Sequence, residues 1–352
     1  MADMYAEYWG GNYAYADTFV QAALNDDTLD DIARKEMAVK GTQYQSVWMY
    51  VLHELYDAIG DCESSSIQDN DAGVHAWDEG WAFYAGSLML TDGSGSGQLL
   101  YTLANKRCAN FGTCDADTGN NARINVKLLT LFQDGEAALQ TGKCGDAALL
   151  LQKIIPLMTV PLVQGALRYA YKSDPKGGAG GAKERAEGWA FTAAVLPQIA
   201  SVSTDAAAMI RSNMEYKATA PVKDGYAAVY EAFQSTYTAL GFTCEDVGGL
   251  LETSTDYYAG TEPCNDEIAG YVPGSNVVPH AMIDLDVRDF ASLAAASDFT
   301  SAADIYENGA NSLKSSSFRN LKGFSDNSEK VCLPQSTHTH LHTHIHSHTL
   351  TH

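Results

Sequence analysis

The pentapeptide Glu-Gly-Trp-Ala-Phe occurs twice in this chain, at residues 79–83 and 187–191. A repeated helix-like block implies a duplicated scaffold, because each copy must bury its aromatic face against a similar partner. An apolar helix with i, i+3, i+4 spacing precedes each copy. In the first half it carries Val47, Trp48, Val51, Leu52, Leu55 and Ile59; in the second it supplies Gln164 and Arg168. The aromatic residues Trp81, Phe83, Trp189 and Phe191 read as core. The two halves span about 28–140 and 145–250, within one domain at 1–334.

Helical periodicity dominates the first 330 residues, and few runs alternate with period two. The spacing predicts one long helix or two in series over 29–61, bent at Gly41. Further helices are expected at 74–90, 124–139, 147–171, 182–196, 206–216 and 225–240, then at 282–296 and 302–313. Pro156 and Pro161 are expected to kink or split the helix at 147–171. Residues 252–279 read as a Tyr-, Gly- and Pro-rich loop region. The fold class is therefore all-α, a duplicated bundle of helix hairpins with an extended His-rich tail.

The chain holds 44 acidic and 22 basic residues among 352, a net charge of −22. That balance excludes nucleic acid and anionic membrane surfaces as partners, since both need clustered Lys and Arg. It leaves solubility and attraction of cations as open readings. No uninterrupted apolar run reaches the roughly 18 residues of a membrane span, and no signal peptide is visible. Seven cysteines include no Cys-x-x-Cys pair, so a zinc knuckle is not expected. Scattered in loops and at helix ends, they suit three disulfides and one remaining thiol in an oxidising compartment. Connectivity is not readable, although Cys108 with Cys114 and Cys244 with Cys264 would close short loops.

The first half carries a polar constellation. His53 and Asp57 are one helical turn apart, as are His75 and Glu79. His53, Asp57, His75 and Glu79 are thus candidate metal ligands projecting between neighbouring helices. Imidazole mixed with carboxylate suits iron, manganese or zinc rather than copper(I). The alternative is a buried hydrogen-bonded network without metal. In the second half Glu187 is expected to form a structural ion pair with Arg168. The order His53-Glu54-x-x-Asp57 also suggests a metal-dependent hydrolase with Glu54 as general base, but Asp57 stands where zinc peptidases carry a second His. Asp69-x-Asp71-x-Gly73 and Asp115-x-Asp117 lack the twelfth-position Glu of a calcium loop and read as turns.

Several blocks resemble the low-iron-inducible periplasmic, or iron-assimilating, proteins of algae. They are 48–54, 73–79, 82–87, 106–115, 157–165, 180–183 and 243–249, and the likeness covers roughly residues 10–270. The resemblance implies a secreted protein, periplasmic or at the cell surface, that serves iron uptake without being an enzyme. Iron is then the cargo, and His53, His75 and Glu79 fall inside matching blocks.

The tail lies outside that resemblance. From Thr337 to His348 it alternates strictly, so six imidazoles would share one face of a strand. It reads as a metal-collecting strand, as a non-native tag, or as a strand that adds to a neighbouring subunit. The last would make residues 335–352 a route to a homo-oligomer or an extracellular filament, the second functional reading of the chain.

Overall fold

The structure is a computed structural model that describes residues 1–67, 72–90, 92–218, 220–264, 268–269, 271, 277–314 and 317–327. Asp69, Asp71, Cys332 and the whole His-rich tail lie outside the described residues. The chain divides into two compact units, Met1–Asn276 and Val277–His352.

Unit 1 is all-α. It opens with α1 (Ala2–Tyr8), α2 (Tyr15–Asn25) and α3 (Asp31–Gly41). A π-helical turn, Thr42–Val47, runs directly into α4 (Trp48–Glu63), and α5 (Gly73–Ala85) packs back on it. Then come α6 (Leu100–Phe111), a two-residue ladder of β1 (Cys114–Asp115) with β2 (Asn121–Ala122), and α7 (Arg123–Gln140). The central pair is α8 (Cys144–Ser173) and α9 (Ala182–Val202). Four shorter helices follow: α10 (Thr204–Met214), α11 (Tyr226–Gln234), α12 (Tyr237–Leu240) and α13 (Cys244–Val247).

The hairpins α4–α5 and α8–α9 are the two most intimately packed pairs, and each uses the glycine of its Glu-Gly-Trp-Ala-Phe block in the same way. A Cβ on Gly80 would stand 2.8 Å from Cδ2 of Leu55, and one on Gly188 would stand 3.0 Å from Cβ of Tyr169. Helix axes this close need a missing side chain at the crossing. Phe191 is buried between two rings, with Tyr44 at 5.1 Å and Tyr169 at 5.9 Å. Phe83, in the matching position, is only partly buried. The Tyr5 hydroxyl donates to the Ala194 carbonyl at 2.7 Å and accepts from Gln198 at 3.0 Å, which pins α1 to α9.

Gly41 does not break the first long helix. The backbone widens by one residue per turn just after it, a feature often found at functional sites. Pro156 and Pro161 do not split α8. Each proline withdraws one N–H from the carbonyl four residues earlier, here Gln152 and Leu157. Gln152 is exposed and Leu157 half-exposed, so water can serve those carbonyls. The helix expected over 225–240 is two, parted at Ser235 and Thr236, where the Thr236 hydroxyl donates to the Phe233 carbonyl. The expected helix 74–90 stops at Ala85, before Gly86 at φ +81°. Asp115 does form a turn, accepting from the Asp117 N–H at 2.9 Å.

Three disulfides join Cys62 to Cys144, Cys108 to Cys114, and Cys244 to Cys264. Both short-loop pairs expected from the sequence are present.

Unit 2 contains α14 (Val278–Ala281), α15 (Ile283–Ala295), α16 (Phe299–Asn308), a ladder of β3 (Leu313–Lys314) with β4 (Ser317–Phe318), and α17 (Leu321–Asn327). Its organising residue is Asp286, fully buried. One carboxylate oxygen accepts from the Ala310 and Asn311 backbone and the Asn311 side chain at 2.8–3.1 Å.

Candidate functional sites

Two polar sites emerge, one on each hairpin. On α4–α5, His75 Nε2 lies 3.6 Å from Glu79 Oε1, and both side chains are about two-fifths exposed. His53 and Asp57 sit on the exposed face of α4, with the His53 ring 5.2 Å from that of Tyr50. Glu54 points inward and is buried. Its carboxylate acts on the Tyr50 hydroxyl and raises its pKa, and the charges of Glu79 and Asp57 push the same way. The structure thus joins His75 to Glu79 and sets Asp57, Glu54 and Glu79 around Tyr50. Among the described residues, no group of three or more His, Cys, Asp or Glu stands close enough to hold a metal ion. The face offers a pair of donors, not a closed coordination shell.

The second site is the one expected to be merely structural. Glu187 on α9 is buried, and it makes no ion pair with Arg168 within 4 Å. Its carboxyl instead shares a hydrogen bond with Glu36 of α3, and its Oε2 has no partner. Burial, helped by Glu36, pushes the Glu187 pKa up to about 7, against the pull of Lys40 and Arg107. Arg107 on α6 is only 8% exposed, and its Nε and Nη1 have no hydrogen-bond partner. Burial, and Arg168 nearby, bring its pKa down to about 10. Burial also lowers Arg168, Lys172 and Lys40. Tyr44, in the π-helical turn, feels both Arg107 and Glu187. In a chain of net charge −22, this knot of cations around buried Glu187 and half-buried Glu36 is a local reversal of sign.

Sequence reasoning missed Arg107 because α6 itself was missed. The signal was there: Leu100, Leu103, Ala104, Cys108 and Phe111 form a buried i, i+3, i+4 stripe, and Arg107 stands inside it. A cation in an apolar stripe marks a site.

The Glu187 pair gives a pH test. An acid whose folded pKa exceeds its ordinary 4.5 binds its proton more tightly when folded. Its contribution to stability is therefore full below about 4.5, falls as pH climbs toward 7, and is flat beyond. Glu187→Gln mimics the protonated carboxyl. Thermal melts should show the variant more stable than wild type at pH 8, by about 1 kcal/mol after allowing for solvent screening, and little changed at pH 4.5. An equal gap at both pH values would mean that Glu187 does not titrate in this window.

No curated protein and no solved structure matches the chain. The model of one protein family does match, over residues 10–269 and 259–332, and its description is low iron-inducible periplasmic protein. Three disulfides agree with a life outside the cytoplasm. With nearly the whole folded chain inside that match, the protein belongs to the low iron-inducible periplasmic protein family.

Proposed function

We propose that this secreted protein serves iron assimilation by binding iron itself, on the α4–α5 face, without catalysing a reaction. The supporting observation is the His75–Glu79 pair at 3.6 Å, half-open to solvent and set beside Tyr50, Glu54 and Asp57. One imidazole nitrogen with several carboxylate oxygens is a donor set that iron accepts. Two pre-paired ligands on one helix leave the remaining coordination positions to His53, Asp57, water or a chelator. Such a site loads and releases its cargo readily, which suits uptake better than storage. Glu54 is buried and acts on the Tyr50 hydroxyl, an arrangement that supports binding rather than general-base work.

Iron titration of the purified protein tests this. The double variant His75→Ala, Glu79→Gln should bind iron at least about tenfold more weakly than wild type, since each lost ligand removes a bond that nothing else replaces. Iron affinity unchanged by the double substitution would move binding away from this face.

A further inference from the structure

A cavity of about 410 Å³ opens between α8, the glycine-rich 177–180 loop and the first turn of α9. Its size falls in the range of small-molecule sites. Two cations one helical turn apart, Arg168 and Lys172, line it, with Glu184 as the one carboxylate among the described residues. Glu184 is already engaged, accepting from the Gly181 N–H at 3.1 Å. Among the described residues, neither Arg168 nor Lys172 makes an ion pair within 4 Å. Arg107 lies within electrostatic reach of both, with donors that nothing accepts from. A buried donor left unsatisfied costs about 1–3 kcal/mol, so Arg107 behind Arg168 and Lys172 leaves positive charge here that Glu184 and Glu187 only partly balance and that an anionic ligand would complete.

The rest of the lining narrows the ligand. Tyr171 and Tyr258, with ring centroids 4.6 Å apart, and Leu250 with Leu251 give an aromatic and apolar wall. That wall suits a carbon skeleton better than a bare inorganic ion. Asn110, also in the lining, has a buried Oδ1 that receives no hydrogen bond. It asks for a hydrogen-bond donor, which sulfate lacks at neutral pH; hydrogenphosphate carries one, so it is the aromatic and apolar wall that favours an organic acid over phosphate. Arginine forks match planar carboxylates two bonds at a time.

We propose that this cavity binds a small organic hydroxy-polycarboxylate, its carboxylates on Arg168 and Lys172 and its hydroxyl on Asn110. The site is separate from the α4–α5 face and needs no metal.

The test is calorimetric titration of metal-free, full-length protein with citrate as the probe. Citrate should bind, and tricarballylate, which lacks the hydroxyl, should bind several-fold more weakly. Arg168→Gln and Lys172→Gln should each weaken citrate about tenfold, the loss expected when one charge-assisted hydrogen bond goes. Both positions are half-exposed, so both variants should fold, as thermal melts would verify. Lys127→Gln, which breaks a pair with buried Asp246 away from the cavity lining, should leave citrate affinity unchanged. Absence of citrate binding, equal affinity for phosphate, or indifference to both cavity substitutions would each overturn the proposal. Because iron is absent throughout, the result stands apart from the iron titration of the α4–α5 variants.

Discussion

Replacing Cys62 and Cys144 together by alanine should lower the free energy of unfolding by about 4 kcal/mol, the largest loss among the three bridges. The bridge joins the last turn of α4 to the first residue of α8, across a sequence separation of 82. Opening it releases α5, α6 and α7 together in the unfolded chain. Loop entropy scales with the logarithm of loop length. The separations of 20 for Cys244–Cys264 and 6 for Cys108–Cys114 therefore predict smaller losses, about 3 and about 2 kcal/mol. Urea unfolding of the three double variants gives the ranking directly. If the Cys62–Cys144 variant is no less stable than the Cys108–Cys114 variant, chain entropy is not what this bridge supplies.

Gly135→Ala should destabilise unit 1 by about 2–3 kcal/mol, although alanine is the better helix former by roughly 1 kcal/mol. The added Cβ would stand 2.6 Å from Cε2 and 2.8 Å from Cη2 of Trp77. That indole cannot retreat. It is 1% exposed, packs 5.7 Å from the Phe132 ring, and donates from Nε1 to the Phe132 carbonyl at 2.8 Å. Relief of the clash must therefore separate α5 from α7. Trp77→Phe in the Gly135→Ala background should recover part of the loss by removing the colliding half of the ring. A Gly135→Ala protein with wild-type unfolding behaviour would show that the α5–α7 contact yields easily.

Most of the helical frame was legible, because apolar periodicity survives in single sequences. The expected 124–139 is α7 at 123–140, and 206–216 is α10 at 204–214. What failed were decisions that tertiary context makes. Pro156 and Pro161 sit inside an unbroken helix, with Gln152 exposed and Leu157 half-exposed where the carbonyls are freed. The missed α6 hides Arg107 in its apolar stripe. The polar sites were legible only in part. Spacing found the His75–Glu79 pair, since i, i+4 geometry is local. It could not show that Glu187 turns toward Glu36, because that contact spans α3 and α9 and depends on how the bundle closes. The repeated block drew attention to the right two helices and led to opposite expectations of burial.

Helix α8 is long and apolar enough, by length and composition, to cross a membrane, and half of its most apolar stretch is buried inside the folded protein. A chain exported in extended form meets the translocation channel before that cover exists. At that stage α8 faces a sorting decision between passing through and lodging in the lipid. Lys153 weighs on the outcome, since it falls within the apolar stretch and a basic residue at the centre of an inserting helix costs about 2.5–3.5 kcal/mol. Lys153, exposed on the finished helix, thus also helps α8 pass as cargo and not stay behind as an anchor.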